Sequence, residues 1–425
     1  MRLLYTFLLY LATPLVLLRL LWKSRLLPAY RGRIGERFGY VTPAPGGVAV
    51  WLHAVSVGES LAAQPLIEAL LREHGDGRVW VTTTTPTGSA RISAAFGARV
   101  HHSYAPYDLP DAVARFLRRV RPAQVVVMET ELWPNLFAAC GARGLPLTIV
   151  NARLSPRSFA GYQRVQRAIA GVLANCRMIA AQSEADAERF RALGAPAARV
   201  RALGNLKFDF AVPESQVSAG LALRARIGAD RPVWIAASTH EGEEEAALAA
   251  HRAVLDVLPS ALLILVPRHP QRFDGVARLI AAQGLSVMRR SRLSDDADPL
   301  PVGAQVLLGD SMGEMFRYLA AADVAFVGGS FAAIGGHNIL EPAALGVPVL
   351  FGPVMHNFAA ARALLLERGA ALEVADGAAL AMAVGRLLTD PARRAQLGAA
   401  GQAAVADNRG VLERILVLLK TQVAA

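Results

Sequence analysis

Hydrophobic residues along most of the chain occur in short runs rich in β-branched side chains. Each run is followed by a longer stretch rich in Ala, Leu and Arg. This alternation is typical of parallel βαβ units, in which a buried strand leads into a helix. The pattern therefore predicts an α/β protein. The predicted strands are 48–53, 79–83, 124–128, 147–151, 178–182, 200–203, 233–237, 261–266, 306–308, 324–327 and 347–351.

The array of predicted units breaks near the middle of the chain. Residues 210–216, which include Pro213, interrupt the pattern, and it restarts at Pro232. Eleven units are too many for one ordinary open sheet, and their irregular spacing argues against a closed eight-stranded barrel. We therefore expect two doubly wound domains facing a cleft, at 23–215 and 216–425. The Ala-rich end, from about 370 to 404, is expected to be helical.

The first residues of the chain form an apolar segment, from Leu3 to Leu18. Continued to Trp22, this segment would make a helix roughly 30 Å long, which matches the hydrocarbon core of a bilayer. A helix that is apolar on all sides is expected to insert rather than lie flat in the interface. A cleaved signal peptide is the alternative, but only Arg2 precedes the segment and no small-x-small cleavage site follows it. We expect residues 1–22 to be an uncleaved, single membrane anchor.

The formal net charge of +11 is unevenly placed, because residues 1–40 carry seven arginines and lysines against one acid. A basic cluster beside an apolar segment favours anionic lipid headgroups. Nucleic-acid binding would instead predict basic residues over a folded face, so no nucleic acid is expected as a partner. Six of the seven cations lie from Arg19 onward, which predicts a cytoplasmic location for the rest of the chain. The two cysteines, Cys140 and Cys176, suggest neither a disulfide framework nor a metal site.

Candidate chemistry in the first half lies where predicted strands end, which is where open α/β sheets bind ligands. Glu59 follows the first strand, and it is either a general base or a first-turn acid favoured by the helix dipole. Acidic, amide and basic residues follow three further strands. Each has a capping or turn explanation when it is taken singly. These residues are Glu129, Glu131, Asn151, Arg153, Asn205 and Lys207.

In the second half, residues 328–341 combine a Gly-rich loop with the start of a helix. Backbone amides in such a loop suit a phosphate, whereas Glu341 is better placed to accept hydrogen bonds from a ribose diol. A tight structural turn is the alternative. Arg268 directly follows a strand, where it would either hold a phosphate or carboxylate or lie in a surface turn.

Two further motifs in the second half compete with this interpretation. Residues 309–313 match G-x-S-x-G, so Ser311 is a candidate nucleophile, with Asp323, His337 and His356 as later triad candidates. Gly313 and Glu314 also suit a nucleotide-binding loop. The sequence HEGEE at 240–244 lacks the second histidine of H-E-x-x-H, and Asp296-Ala297-Asp298 lies in a predicted polar loop. No metal site is therefore expected.

Nine motifs, taken together and in order, resemble the 3-deoxy-D-manno-octulosonic acid (Kdo) transferase family of the lipopolysaccharide pathway. They are HAVSVGES, TPTGS, ETELWPN, NARLS, GNLKFD, STHEGEE, VPRHPQRF, GDSMGE and GGHNILEP. The resemblance covers essentially the whole chain. It implies a GT-B glycosyltransferase on the inner membrane of a Gram-negative bacterium. Such an enzyme moves Kdo from CMP-Kdo to lipid IVA, with inversion and without a metal or other cofactor.

The resemblance also implies roles for individual residues. Glu59 matches the proton acceptor of the family, and Glu129 and Lys207 match its transition-state stabilising positions. The CMP-contacting positions are Pro267, Arg268, Met312, Gly313, Glu314, Asn338, Ile339, Leu340 and Glu341. Two other functions stay open: a hydrolase that uses Ser311, or a membrane-anchored sugar-nucleotide binder without catalytic activity. A helix N-terminus would lower the pKa of Glu59, so burial or a nearby acid such as Glu129 has to oppose it.

Overall fold

The computed structural model describes residues 1–25, 27–293, 299–301 and 303–423. Its contacts divide the chain into two compact units. Unit 1 comprises Met1–Phe210 together with the C-terminal segment from Asn408, and unit 2 comprises Ala211–Asp407. The sequence pattern assigns everything after residue 215 to the second domain, whereas the structure returns the last helix to unit 1.

Unit 1 is built on a seven-stranded parallel sheet. The strands are β1 Val48–His53, β2 Val79–Thr83, β3 His101–Tyr104, β4 Pro122–Met128, β5 Leu147–Ala152, β6 Met178–Ala181 and β7 Val200–Ala202. Their order across the sheet is β3-β2-β1-β4-β5-β6-β7. The strand order reverses between β1 and β4, so the carboxyl ends of these two strands flank the switch point where doubly wound sheets bind ligands.

The helices of unit 1 begin with α1 Arg2–Lys23 and α2 Val57–His74. Six shorter helices follow, and a last one closes the unit. They are α3 Pro86–Phe96, α4 Pro110–Val120, α5 Pro134–Gly141, α6 Pro156–Gln163, α7 Gln166–Leu173, α8 Glu184–Ala192 and α17 Val411–Val423. Within the described residues, α1 is the one helix long and apolar enough to cross a membrane.

Unit 2 repeats the architecture with a second seven-stranded parallel sheet. Its strands are β8 Val233–Thr239, β9 Leu262–Pro267, β10 Val287–Arg289, β11 Val306–Leu308, β12 Val324–Val327, β13 Val349–Phe351 and β14 Ala371–Glu373. Their order is β10-β11-β9-β8-β12-β13-β14, with the reversal between β8 and β12. The helices are α9 Glu214–Ile227, α10 Glu243–Val257, α11 Phe273–Ala282, α12 Met315–Ala320, α13 Leu340–Ala344, α14 Ala359–Glu367, α15 Gly377–Thr389 and α16 Pro391–Asp407.

The predicted alternation of strands and helices is confirmed in both units, and three strands were missed. These are β3, whose sequence HHSY is mostly polar, and the short strands β10 and β14. All three lie at or next to the edge of a sheet, where one side of the strand has little apolar cover to reveal it in the sequence. The stretch from residue 370, expected to be all helical, therefore begins with a strand.

The return of the chain to unit 1 is held by polar and apolar contacts. Asp209 accepts hydrogen bonds from the backbone N–H groups of Gly410, at 2.7 Å, and Leu412. These contacts cap the start of α17, whose apolar residues Ile415 and Leu419 join the core beneath α2. Burial of this apolar face is what places α17 in unit 1.

Candidate active site

The loop after β1 holds Glu59 in a reciprocal cap at the start of α2. The N–H of Glu59 donates to Oγ of Ser56 at 3.2 Å, and the Ser56 hydroxyl donates to Oε1 of Glu59 at 2.9 Å. The N–H of Val55 donates to Oε2 at 2.8 Å. Glu59 is therefore a first-turn acid of α2, and the cap orients its carboxylate at the carboxyl end of β1.

The same carboxylate is buried, which changes its pKa. Glu59 is 8% exposed. Burial, together with the charges of Glu129 and Glu131, raises its pKa to about 7, and the hydrogen bonds from Val55 and Ser56 oppose the rise. The effect of desolvation on the pKa of Glu59 is thus larger than the opposing effect of the helix N-terminus. A carboxyl group with a pKa near neutral is well matched to a general base.

Glu129 lies directly after β4, on the other side of the switch point of unit 1. Its φ angle is 55°, a left-handed conformation that is uncommon for a residue with a side chain. The N–H of Glu129 donates to the carbonyl of Val150 at 3.0 Å, which continues the sheet pairing into the turn. Two residues on, Glu131 accepts a hydrogen bond from Nε1 of Trp133 at 2.9 Å. Burial raises the pKa of Glu131, and the charge of Glu129 adds to the rise.

Lys207 lies on the 3-10 turn Leu206–Phe208, which follows β7. Burial lowers the pKa of its ammonium group, whereas the charges of Glu129 and Glu59 favour the protonated form. Arg153 acts in the same direction as burial. The structure thus brings the three predicted catalytic residues of unit 1 within electrostatic range of one another.

In unit 2, the Gly-rich loop after β12 is occupied by a carboxylate from the same unit. Glu243 is 1% exposed and lies in the first turn of α10. It accepts hydrogen bonds from the N–H groups of Gly329 at 2.7 Å, and of Ser330 and Phe331 at 2.9 Å. The expectation that these amides cradle a phosphate is therefore corrected, because Glu243 already satisfies them.

A histidine pair lies at the switch point of unit 2. Nε2 of His240 and Nε2 of His337 are 2.7 Å apart, and the two rings stack with an interplanar angle of 7°. Burial, together with the charge of Arg268, lowers the pKa of His337 to about 4. The Arg268 backbone is fixed by a 3.0 Å hydrogen bond from its N–H to the carbonyl of Thr239. Burial also lowers the pKa of His240, with the charge of Glu243 opposing the shift, so the neutral form of both rings is favoured.

The predicted segment 338–341 supplies polar groups at its two ends. Nδ2 of Asn338 donates to Oε1 of Glu341 at 3.0 Å. Burial raises the pKa of Glu341, against this hydrogen bond and the charge of Arg268. Ile339 and Leu340 are fully buried, so any contact with a ligand would come from their backbone.

The predicted segment 312–314 ends in a carboxylate shared by two arginines. Glu314 accepts hydrogen bonds at Oε1 from Arg290, at 3.1 Å, and from Arg317, at 2.9 Å. Met312 is exposed, and Gly313 has a φ angle of 82°, which favours glycine. Pro267 is buried at the end of β9.

Ser311 is not assembled into a nucleophilic triad. Its hydroxyl is bonded to the Glu314 carboxylate and lies 2.5 Å from the hydroxyl of Tyr318. Asp323 is engaged by Arg224 at 3.0 Å and by the N–H of Val233, while His337 is paired with His240. The geometry therefore gives no support to the hydrolase interpretation.

No group of three or more His, Cys, Asp or Glu residues within the described ranges could hold a metal ion. The D-x-D sequence at 296–298 lies outside those ranges.

Comparison with known proteins identifies the family. A family model described as 3-deoxy-D-manno-octulosonic-acid transferase (kdotransferase) matches residues 32–210. The chain is 42% identical to the 3-deoxy-D-manno-octulosonic acid transferase of Haemophilus influenzae, over 99% of this chain and 98% of that one. It belongs to the Kdo transferase family. The corresponding transferase of Bordetella pertussis is 44% identical to this family member, over 92% of this chain and 91% of that one.

A solved structure supports the fold of this Kdo transferase family member. The chain resembles a solved glycosyltransferase structure from Rickettsia africae with a TM-score of 0.56 and 12% sequence identity, over 89% of this chain and 99% of that one. At that identity the likeness concerns the fold alone. The predicted GT-B architecture of two doubly wound domains is confirmed, and the protein is a glycosyltransferase by family membership.

Sequence reasoning missed the contacts of three residues that shape these sites in the Kdo transferase. Glu243 was considered only as part of a failed zinc motif, although three consecutive acids at a helix start are a signal for an anion acceptor of backbone amides. Asn151 was noted for its place after a strand, but the sequence pattern did not predict its left-handed φ of 53°. His240 pairs with a residue 97 positions away, which no local spacing reveals.

Proposed function

We propose that the protein transfers Kdo from CMP-Kdo to lipid IVA in lipopolysaccharide core biosynthesis, with inversion and with Glu59 as the general base. The observation that carries this proposal is the buried Glu59 carboxylate, whose pKa is raised to about 7, at the switch point of a sheet in a Kdo transferase. A base in that range accepts a proton readily at cytoplasmic pH.

The proposed step is a single displacement at the anomeric carbon of Kdo. The acceptor hydroxyl oxygen forms the new bond, its proton passes to Glu59, and the bond to the CMP phosphate oxygen breaks as CMP leaves with the electron pair. One displacement inverts the configuration. The step itself needs no metal ion, because the proton acceptor and the balancing charges are side chains.

Glu129 and Lys207 are proposed to stabilise the charges that develop during this displacement. The Glu129 carboxylate suits the partial positive charge on the sugar ring, and the Lys207 ammonium suits the Kdo carboxylate or the departing phosphate. Burial lowers the pKa of Lys207, and the charges of Glu129 and Glu59 oppose that shift.

The CMP-Kdo donor is proposed to bind to unit 2. Arg268 is the natural partner of the phosphate, because Glu243 already binds the amides of Gly329, Ser330 and Phe331 in the Gly-rich loop. Glu341 is proposed to accept hydrogen bonds from the ribose hydroxyls. The other proposed CMP contacts are Pro267, Met312, Gly313, Glu314, Asn338, Ile339 and Leu340.

The exposed apolar residues of α1 and the basic residues that follow them support association with anionic lipids. We propose that the protein resides at the cytoplasmic face of the inner membrane of a Gram-negative bacterium. That location suits a lipid acceptor, because the lipid can stay in the membrane while the water-soluble CMP-Kdo stays in the cytoplasm.

The test is incubation of the purified protein with CMP-Kdo and lipid IVA, followed by mass spectrometry of the lipid. The parent is expected to add Kdo, and Glu59→Gln is expected to bind CMP normally and to transfer at least about a hundredfold more slowly. If Glu59→Gln transfers Kdo at a rate within a fewfold of the parent, Glu59 is not the base, and Glu129 becomes the leading candidate. CMP binding with no product in the parent would instead favour the non-catalytic binder.

A further inference from the structure

We infer that α1 lies flat on the membrane surface, held against unit 1 by a polar clamp, and does not cross the bilayer. This inference rests on the proposed membrane association and specifies its geometry. The polar clamp consists of three side-chain pairs between α1 and the starts of α4 and α5: Tyr5 with Asp108, Thr6 with Asn135, and Tyr10 with Asp111.

The clamp has short, directional hydrogen bonds. The Tyr5 hydroxyl donates to Oδ2 of Asp108 at 3.0 Å, and the Tyr10 hydroxyl donates to Oδ1 of Asp111 at 2.6 Å. The Thr6 hydroxyl donates to Oδ1 of Asn135 at 3.0 Å. These three residues occupy the N-terminal half of α1, the half that a spanning helix would carry farthest from a cytoplasmic domain.

The partners of the clamp are built into unit 1. Asp108 is 7% exposed and also accepts the N–H groups of Asn135, at 2.9 Å, and Leu136, at 2.7 Å, which caps α5. Asp111 forms an ion pair with Arg115 at 3.0 Å. These charged groups cannot follow α1 into a membrane unless the ends of α4 and α5 go with it.

A spanning helix is therefore incompatible with the clamp. Residues 5 and 22 of a helix are separated by roughly 25 Å, which is close to the thickness of the hydrocarbon core. If Trp22 lay at the cytoplasmic boundary and the clamp stayed intact, Asp108, Asp111 and Arg115 would lie at hydrocarbon depth. Each such charge is strongly unfavourable there. A helix parallel to the surface keeps all of these groups in the polar interface.

The exposure of α1 fits the flat orientation along its whole length. Exposed apolar residues recur with three- and four-residue spacing, which defines an apolar stripe on one face of the helix. The stripe consists of Leu4, Phe7, Leu8, Leu11, Leu15, Leu18 and Trp22. Tyr5 and Thr6, and then Leu20 at the other end, are more buried and lie on the opposite side.

The occupant that suits this stripe is an anionic bilayer surface. Arg2 lies at one end of the stripe, and Arg19 and Lys23 lie at the other. Basic residues at both ends suit headgroups that lie in one plane, and the apolar stripe between them suits the boundary with the acyl chains. Two cationic ends on one helix are disfavoured in a spanning orientation, because one end would have to be translocated.

The clamp also links the membrane to the active site of unit 1. Asn135 belongs to the same short loop-and-helix segment as Glu129, which follows β4. A membrane surface held by α1 would therefore run beside the segment that carries a proposed catalytic residue. A lipid acceptor would then reach the site by moving within the bilayer surface.

The test measures the depth of three stripe positions in vesicles of phosphatidylethanolamine and phosphatidylglycerol. Leu4→Cys, Leu11→Cys and Leu18→Cys of the full-length protein are spin-labelled, and their accessibilities to oxygen and to a polar relaxant give the depths. Cys140 and Cys176 are buried, and Glu188→Cys on α8 is the control exposed to water. We expect equal, shallow depths at all three positions.

A depth that changes by roughly 10 Å between successive positions would show a spanning helix and overturn the inference. Failure of the protein to sediment with these vesicles would overturn the membrane association itself, which is a separate outcome. The double variant Tyr5→Phe/Tyr10→Phe provides a second measurement, because it keeps the apolar character of α1 and removes two clamp donors. We expect it to bind the vesicles and to show unequal depths, whereas unchanged depths would show that the clamp does not set the orientation.

Discussion

Oδ1 of Asn151 accepts a hydrogen bond of 2.9 Å from the backbone N–H of Leu206, across 55 residues of sequence. Asn151 is fully buried and has a left-handed backbone, a conformation that asparagine tolerates better than most residues. Because Lys207 directly follows Leu206, this bond ties the end of β5 to the turn that carries a proposed catalytic lysine. Asn151 is therefore a positioning residue for Lys207.

Replacing Asn151 should impair catalysis in proportion to the loss of that bond. Asn151→Ala removes the acceptor and adds about 1–2 kcal/mol of backbone strain, so we expect the turnover rate to fall roughly tenfold or more with CMP affinity unchanged. Asn151→Asp keeps the acceptor and the tolerance of left-handed φ, and it should recover most of the activity. Steady-state kinetics with Asn175→Ala as a control would check this. An Asp variant as slow as the Ala variant would contradict the positioning role.

The transfer rate should follow the ionisation of Glu59. Burial and the neighbouring acids raise its pKa to about 7, and only the carboxylate accepts a proton. We expect kcat/KM for the acceptor to rise about tenfold per pH unit below pH 7 and to level off above it. In Glu59→Gln the residual kcat/KM should not show this rise with pH. A parent profile that is flat between pH 5 and 7 would exclude Glu59 as the titrating base.

The same group should make the fold less stable as the pH rises. The folded-state pKa of about 7 lies above the ordinary value of 4.5, so the stabilising contribution of the proton is complete below pH 4.5 and is lost as the pH rises through 7. The loss is about 3 kcal/mol. Glu59→Gln stays neutral, so its Tm should match the parent at pH 4 and exceed it at pH 8.

Thermal unfolding at both pH values would check this difference, with Glu188→Gln, on the exposed side of α8, as the control. A Glu59→Gln protein that is less stable than the parent at pH 8 would show that the cap bonds from Val55 and Ser56 outweigh the burial of charge.

Glu243 should be necessary for the shape of the donor loop. Its carboxylate satisfies three consecutive backbone amides, and an amide side chain has one acceptor oxygen in place of two. We expect Glu243→Gln to lower the free energy of unfolding by about 1–3 kcal/mol and to weaken CMP binding. Glu241→Gln, two residues away and exposed, should change neither. Normal CMP affinity in Glu243→Gln would show that the loop does not contribute to the donor site.

Arg268 should contribute through the phosphate of the donor. We expect Arg268→Gln to bind CMP about ten- to a hundredfold more weakly, because charge-assisted hydrogen bonds contribute about 1.5–3 kcal/mol. Its affinity for cytidine should be unchanged. Calorimetry with the two ligands would separate these effects, and equal losses for both would show that Arg268 acts on the nucleoside or on the fold.

Much of the architecture and the family could be predicted from the sequence, because these properties are written in local patterns. The runs that form β1 and β4 are apolar and continuous, as strands covered on both faces require. Glu59, Glu129 and Lys207 follow strands, and topology alone brings strand ends to one edge of a sheet. The first-turn position of Glu59 was one of the two roles that the sequence offered for this residue.

Tertiary structure decided the properties that depend on distant residues. Burial and the charges of Glu129 and Glu131 set the raised pKa of Glu59, and Glu243 binds the amide of Gly329, 86 residues later in the chain. The polar clamp joins Tyr5 to Asp108 across 103 residues, so α1 gained a docked face that its apolar sequence did not show. Periodicity reports on neighbours along one element, whereas desolvation and hydrogen-bond partners are set by the groups that folding brings into contact.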